Sequence, residues 1–344
     1  VAGFYSARFH SKGEWENAPV SERIALIVGI TGQVGAYLAR FLLDKGYSVH
    51  GTSRDAAIAR VEGLAALGIR DQVTLHSLSP LDSSSVTDVI AQVAPDEMYN
   101  LTGQSSVALS FTQPVETLEG IVFGTLNMLE ALRRVGPKVR FYSAGSSECF
   151  GDTGRTPATE AAAFRPRSPY GIAKAAAVSL VANYRESYGL FACSGILFNH
   201  ESPLRPPRFV TRKITAAAAR IGMGSRERLA LGNLAVQRDW GWAPDYVEAM
   251  WAMLQQDAAD DFVIASGASH SLEQFVAAAF AEVGLDWREH VDHDPSLKRP
   301  SDITHSLGDP AKARRILGWS ARVPFAEIVA RMVRGEREGP AAVS

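Results

Sequence analysis

Cysteine is nearly absent from this chain, and its scarcity removes one architecture at the outset. Two cysteines, Cys149 and Cys193, in 344 residues are too few for a disulfide-stapled secreted domain and fit a reducing cytoplasm. Long apolar runs are missing too. No uninterrupted stretch could span a bilayer, and Val1 to Val20 mix charge, glycine and aromatics without the apolar run a signal peptide needs. Residues 1–23 therefore read as a loosely ordered N-terminal extension. Nor does either charge dominate: 35 basic side chains face 37 acidic ones with no block of one sign, which argues against nucleic acid as a partner. The densest basic stretch, Arg205, Arg208, Arg212 and Lys213, suits a diphosphate better than a duplex, or is simply a solvated face. No metal centre is expected.

What the chain does have is apolar content, 46%, enough to bury a large core. From Ile24 short β-branched runs alternate with amphipathic windows. Strands are predicted at Ile24–Val28, Tyr47–His50, Val73–His76, Glu97–Asn100 and Val139–Ser143, with helices over windows such as Tyr37–Leu43 and Val86–Val93. This alternation marks an α/β fold, a doubly wound parallel sheet of the Rossmann type, over residues 24–200. After Phe198 prolines cluster at 203, 206 and 207 and the later strands shorten. A smaller C-terminal α/β region, 201–336, is expected to hold the ligand that the sheet does not. Within it, 242–266 is expected to pack back on the first region, and 337–344 to form a tail.

Gly29-Ile-Thr31-Gly32-Gln33-Val34-Gly35 follows an apolar strand and opens a helix. In that context the first glycine permits a tight turn, the second admits a pyrophosphate to the backbone, and the third lets helix and strand pack closely. The helix N-terminus adds partial positive charge. Arg54 lies about twenty residues further on, where a cation would pair with the extra phosphate of NADP. Its neighbour Asp55 pulls the other way, towards NAD.

Tyr170 and Lys174 are one helical turn apart on one face, after a helix start made by Ser168 and Pro169. An ammonium near a phenol favours the phenolate, so Tyr170 is expected to titrate near neutrality and serve as a general base on a sugar hydroxyl. Ser146, Ser147 and Glu148 end the fifth predicted strand, the place where active-site groups gather in such sheets. Ser146 can hydrogen-bond the same hydroxyl, and Glu148 can reach a second position on the ring. A plain capped loop is the alternative.

The glycine triplet with Tyr170 and Lys174 resembles the extended short-chain dehydrogenase/reductase superfamily. Narrower marks resemble the GDP-mannose 4,6-dehydratase family: Leu197-Phe-Asn-His-Glu-Ser-Pro203, Phe209-Val-Thr-Arg-Lys-Ile-Thr215, Leu231-Gly-Asn-Leu234, Arg238-Asp-Trp-Gly241, Asp245-Tyr-Val-Glu-Ala-Met-Trp251 and Leu307-Gly-Asp-Pro310. The resemblance covers Ile24 to about Val333. It implies a catalytic set of Ser146, Glu148, Tyr170 and Lys174, with serine standing where the family usually has threonine. It places Leu101, Gln104, His200 and Arg205 on the cofactor side. On the GDP-sugar side it places Ser105, Asn199, Lys213, Leu231, Arg238, Arg299 and Asp302, the last where a glutamate is usual. Three departures fall in the cofactor half: Val34 for an aspartate, Asp55-Ala56-Ala57 for an arginine-serine-serine run, and Ser79-Pro80 for an aspartate-leucine pair.

The resemblance implies a hydro-lyase that uses NADP, with NAD possible, on GDP-mannose. It also implies a homo-oligomer, dimer or tetramer. Two rivals stay open: an epimerase or reductase acting on another nucleotide sugar, and a non-catalytic relative that binds the sugar nucleotide without turnover.

Overall fold

The structure, a computed structural model, describes residues 23–297 and 301–343. The N-terminal extension lies outside these residues except for Arg23, which pairs with Glu97 at 3.2 Å. β1 (Ile24–Val28), α1 (Gln33–Asp44), β2 (Ser48–Ser53), α2 (Glu62–Ala66), β3 (Val73–Ser77), α3 (Ser83–Val93) and β4 (Glu97–Asn100) alternate along the first part of the chain. Then come α4 (Val107–Thr112), α5 (Pro114–Leu118), a π-helical turn, α6 (Gly124–Val135), β5 (Arg140–Ala144), α7 (Pro169–Tyr188) and β6 (Ala192–Leu197). The start of α7 is capped as its sequence predicts, the Ser168 hydroxyl accepting from the Gly171 N–H at 3.0 Å.

The later part contributes β7 (Asn199–Glu201), α8 (Val210–Gly222), β8 (Leu229–Leu231), β9 (Gln237–Trp242), α9 (Ala243–Leu254) and β10 (Phe262–Ile264). It ends with β11 (Ser269–Ser271), α10 (Leu272–Ala281), β12 (Val291–His293), β13 (His305–Ser306), α11 (Ala311–Leu317) and α12 (Phe325–Glu338). α12 thus runs to Glu338, two residues into the stretch 337–344 expected as a tail.

The main sheet has seven strands in the order β10-β6-β5-β4-β1-β2-β3, all parallel. Successive side chains on a strand point to opposite faces, so each strand feeds two cores. Ala25, Ile27, Tyr99 and Tyr142 pack with α1 and α9, whereas Leu26, Val28, Met98 and Phe141 pack with α3, α6 and α7. Residues 242–266 lie against this sheet: α9 covers one face and β10 pairs with β6. Much of the remainder forms its own core, in which Trp240, Phe275 and Phe280 meet Ile328 and Met332, while Ala313 and Trp319 join the α1 and α9 side of the sheet.

β2 runs on to Ser53, past the His50 end that its sequence predicts. Gly51-Thr-Ser lies beyond the predicted strand, yet the backbone keeps pairing with both neighbours, Thr52 opposite Val28 and Ser53 opposite Ser77. Gly51 fits because the Ile30 side chain fills the space a Cβ would need, 2.4 Å away.

The strand order reverses direction between β1 and β4, and a crevice opens at the carboxyl ends of the strands there, as such sheets require.

Candidate active site

That crevice is a cavity of about 1590 Å³, larger than a drug-sized ligand needs and roomy enough for two ligands laid end to end. One end is the glycine turn. Gly29 has φ +94°, and a Cβ on Gly35 would sit 2.6 Å from the Gly29 carbonyl oxygen and the Ile30 Cα. Gly32 caps α1 without any side-chain acceptor, so the first N–H groups of the helix remain available to an anion. These residues fit a dinucleotide pyrophosphate. Gln33 fastens the turn to β7, donating to the His200 carbonyl at 3.2 Å and accepting from the Ser202 hydroxyl at 2.8 Å.

Further along the wall, Ser146, Glu148, Tyr170 and Lys174 converge. β5 ends at Ala144, and the chain then tightens into a 3₁₀ turn over Ser147–Cys149, capped by Ser146, whose hydroxyl accepts from the Glu148 N–H at 3.3 Å. The capped loop and the candidate cluster are therefore one feature. α7 supplies Tyr170 and Lys174 from its first turns. The Lys174 ammonium donates to the Ala144 carbonyl at 2.7 Å and lies 6.0 Å from the Tyr170 ring centre.

The electrostatics correct the expectation of an ionised phenol. Burial pushes Tyr170 up to about 12; a hydrogen bond with Ser146 opposes the rise, and the nearby Glu148 charge adds to it. Burial also brings the Lys174 ammonium down to about 8. The lysine spends its proton on a backbone carbonyl, so helical spacing alone does not make the phenol acidic. His200 is lowered to about 4, by burial first and the Arg205 charge second. Its Nδ1 is 2.8 Å from the Phe198 carbonyl, which can only accept, so Nδ1 carries the proton.

Every predicted site residue within the described part lines this one cavity. Gly29, Thr31, Gly32, Gln33, Val34, Gly35, Arg54, Leu101, Gln104, His200 and Arg205 are on its wall, and so are Ser105, Asn199, Lys213, Leu231, Arg238 and Asp302. Arg299 lies outside the described residues. Arg238 pairs with Asp302 at 3.4 Å and donates to the Gln237 carbonyl at 2.9 Å. Its sequence neighbour Asp239 points to the opposite side of β9 and accepts from Ser266 and Gly267.

The basic stretch divides. Arg205, Arg208 and Lys213 line the cavity, whereas Arg212 turns away to the Glu336 carboxylate and the Pro203 carbonyl. Arg212 is thus an ion-pair residue and not part of a diphosphate patch. Glu201, within the Leu197–Pro203 motif, is a further residue of the site that the sequence does not single out. It is almost fully buried on the cavity wall, pairs with Arg205 at 3.3 Å and accepts from the Thr211 hydroxyl at 2.7 Å. Its signal was an acid four residues before an arginine. Among the described residues no group of three or more His, Cys, Asp or Glu is placed to hold a metal ion, and no helix is long and apolar enough to cross a membrane.

A doubly wound sheet with a glycine phosphate cradle and a Ser/Tyr/Lys cluster at its carboxyl edge defines an extended short-chain dehydrogenase/reductase. The comparisons narrow this. The family model for GDP-mannose 4,6 dehydratase matches residues 26–332, and the chain belongs to that family. GDP-mannose 4,6 dehydratase 2 of Arabidopsis thaliana is 46% identical, over 92% of this chain and 87% of the relative. Among solved structures, a dTDP-glucose 4,6-dehydratase from Streptomyces venezuelae with NAD bound superposes with TM-score 0.82 at 22% identity, covering 92% of this chain and 97% of that one. RMD from Pseudomonas aeruginosa complexed with NADPH superposes with TM-score 0.76 at 23% identity, covering 91% and 98%. At these identities the two structures speak for the fold.

Proposed function

We propose that this chain is a hydro-lyase converting GDP-mannose to GDP-4-keto-6-deoxymannose, with Ser146, Glu148, Tyr170 and Lys174 as its reacting set. The observation that carries the reading is Glu148. It shares the cavity wall with Ser146 and Tyr170 closely enough for its charge to act on the phenol, and a plain oxidoreductase or 4-epimerase needs no carboxylate base at C5. The 46% identical relative bears the dehydratase name.

A bound nicotinamide supplies the hydride sink, the hydride return and, when oxidised, a positive charge that favours loss of the phenolic proton. Tyr170 then takes the proton of the C4 hydroxyl, with Ser146 hydrogen-bonded to hold the phenol and the sugar oxygen in line. Lys174, anchored on the Ala144 carbonyl, keeps its charge beneath the phenol. The C4 ketone acidifies C5–H; Glu148 removes that proton and delivers it to the C6 hydroxyl, which leaves as water. With the hydride given back at C6, C5 would have to regain a proton, matched by the one that Tyr170 took from the C4 hydroxyl, and net redox would be zero. Arg238 and Lys213, with Arg299, answer the phosphates and ribose of the nucleotide.

Both nicotinamide forms occur in the related structures, NADPH in one and NAD in the other. NADP is the form we assign here, with Arg54 as the cation. The working partner is a small molecule, not nucleic acid or a membrane, and the expected compartment is the cytoplasm. We also take the protein to act as a homo-oligomer. Val115, Phe123 and Ile172, 61%, 54% and 50% exposed, are large apolar side chains on α5, the π-helical turn and α7, and a contact between copies would cover them. Sedimentation should give more than one copy per particle, and Phe123→Asp with Ile172→Asp should dissociate it.

Incubation with GDP-mannose tests the activity, with mass spectrometry reading loss of one water and formation of a 4-keto sugar. An epimerised or reduced product would favour the oxidoreductase rival; binding without product would favour the non-catalytic one.

A further inference from the structure

Glu148 stands at the head of a tight arm. The 3₁₀ turn that carries it is followed by Phe150, buried against Phe164 and Phe198, and by Gly151 at φ +69°. The Arg165 N–H donates to the Cys149 carbonyl at 2.9 Å, and a Cβ on Gly151 would clash with the Arg165 carbonyl oxygen, so the arm has little slack. Four residues after Glu148 comes Asp152, whose carboxylate accepts from the Thr304 N–H at 2.8 Å and from the Thr304 hydroxyl. Its second oxygen is held by the Gly154 N–H at 3.0 Å. Backbone pairing continues the contact: the Thr153 N–H donates to the His305 carbonyl at 3.0 Å and the Ala158 N–H to the Leu307 carbonyl at 2.9 Å. The same segment lies along β9, with His305 opposite Gln237 and Ser306 opposite Arg238. Asp302, two residues before Thr304, is the carboxylate that pairs with Arg238. The chain leaving Glu148 and the strand holding Arg238 are therefore joined through one intervening segment.

We infer that Asp152 is a positioning residue: through Thr304 it fixes the Glu148 carboxylate at a set span from Arg238, so that the base meets C5 of a sugar whose nucleotide Arg238 holds. The inference rests on the dehydratase reading and deepens it. A base must lie within hydrogen-bond reach of the proton it removes, and a misplacement of about 1 Å can cost on the order of 10² in rate. A substrate held through its nucleotide presents its ring wherever that grip leaves it, so the span from Arg238 to Glu148 matters as much as either residue. Ser146 lies before the arm and Tyr170 is fixed by α7. Loosening the Asp152 contact should therefore spare C4 oxidation and slow the elimination that follows.

Rapid-mixing absorbance of the full chain, supplied with oxidised NADP and mixed with GDP-mannose, separates the two steps. In Asp152→Ala the reduced-nicotinamide signal should accumulate, because hydride leaves C4 and is not promptly returned, and turnover should fall about tenfold or more. GDP, which lacks the hexose, should bind as it does to the unaltered chain. Asp152→Asn, which keeps an oxygen for Thr304 to donate to, should restore most of the rate. Thr304→Val, which keeps the N–H and loses the hydroxyl, should show a smaller effect in the same direction. Unchanged turnover in Asp152→Ala would overturn the inference, and so would a slow variant that accumulates no reduced nicotinamide or binds GDP more weakly, which is the mark of general damage. If Asp152→Ala does not fold, Thr304→Val decides the matter by the same signal. An unaltered chain that yields no 4-keto product would instead sink the dehydratase reading, a result distinct from any of these.

Discussion

Glu148 and Lys174 carry opposite kinds of charge into one wall of the cavity, and each makes a separate demand that a variant can test. Glu148→Gln keeps the shape and hydrogen-bonding reach of the side chain but removes the base, so sugar-nucleotide affinity should persist while turnover falls by a factor on the order of 10² or more. Near-normal rates would take Glu148 out of the reaction. Lys174, lowered by burial to about 8, is charged below that pH and neutral above it. With its charge supporting the phenolate, activity should fall as the pH rises through about 8. A pH–rate profile should show that limb, and Lys174→Arg, whose guanidinium stays protonated, should move it to higher pH. The Tyr170–Lys174 pair was readable in sequence because helical periodicity puts residues four apart on one face. Its protonation was not readable, because burial depends on which elements close over α7.

At the scale of elements, the glycine turn was almost wholly legible: strand, turn and helix are contiguous, so composition and order suffice. Gly35 is where this is most exposed to test. A Cβ there would meet backbone atoms of Gly29 and Ile30 at 2.6 Å and 2.6 Å, which no side-chain rotation can relieve. Gly35→Ala should therefore cost about 1–3 kcal/mol of stability and weaken dinucleotide binding, both measurable by thermal melts with and without NADPH. The far end of β2 was misread because hydrophilic Gly-Thr-Ser residues form strand only through pairing on both sides. Arg212 was misplaced for a related reason. Its partner Glu336 is on α12, far along the chain, and only the packing of α8 on α12 decides which way the guanidinium turns.

On the scale of the whole molecule, the Asp239 carboxylate joins β9 to the segments after β10 and β13. It accepts from the Ser266 N–H and hydroxyl at 2.8 and 2.7 Å, the Gly267 N–H at 2.9 Å and the Gly308 N–H at 3.5 Å. Asp239→Ala would strand several buried donors, and denaturant unfolding should show a loss of more than about 3 kcal/mol. Burial nonetheless raises this carboxyl to about 6, so the ion is penalised where it sits. A neutral Asn keeps an acceptor, and Asp239→Asn should cost clearly less than Asp239→Ala. Equal losses would mean that the charge itself holds the regions together.

The amino-acid order by itself determined the alternating strands and helices, the glycine turn and the Tyr170–Lys174 spacing, since each is written in contacts between residues close along the chain. Only the tertiary structure decided that Glu148 faces Tyr170, that Arg212 turns away from the cavity that Arg205 and Lys213 line, and that the phenol and the ammonium are both pushed towards neutrality. Those outcomes depend on desolvation and on partners from distant segments, quantities that exist only once the sheet and the later region have closed around the same cavity.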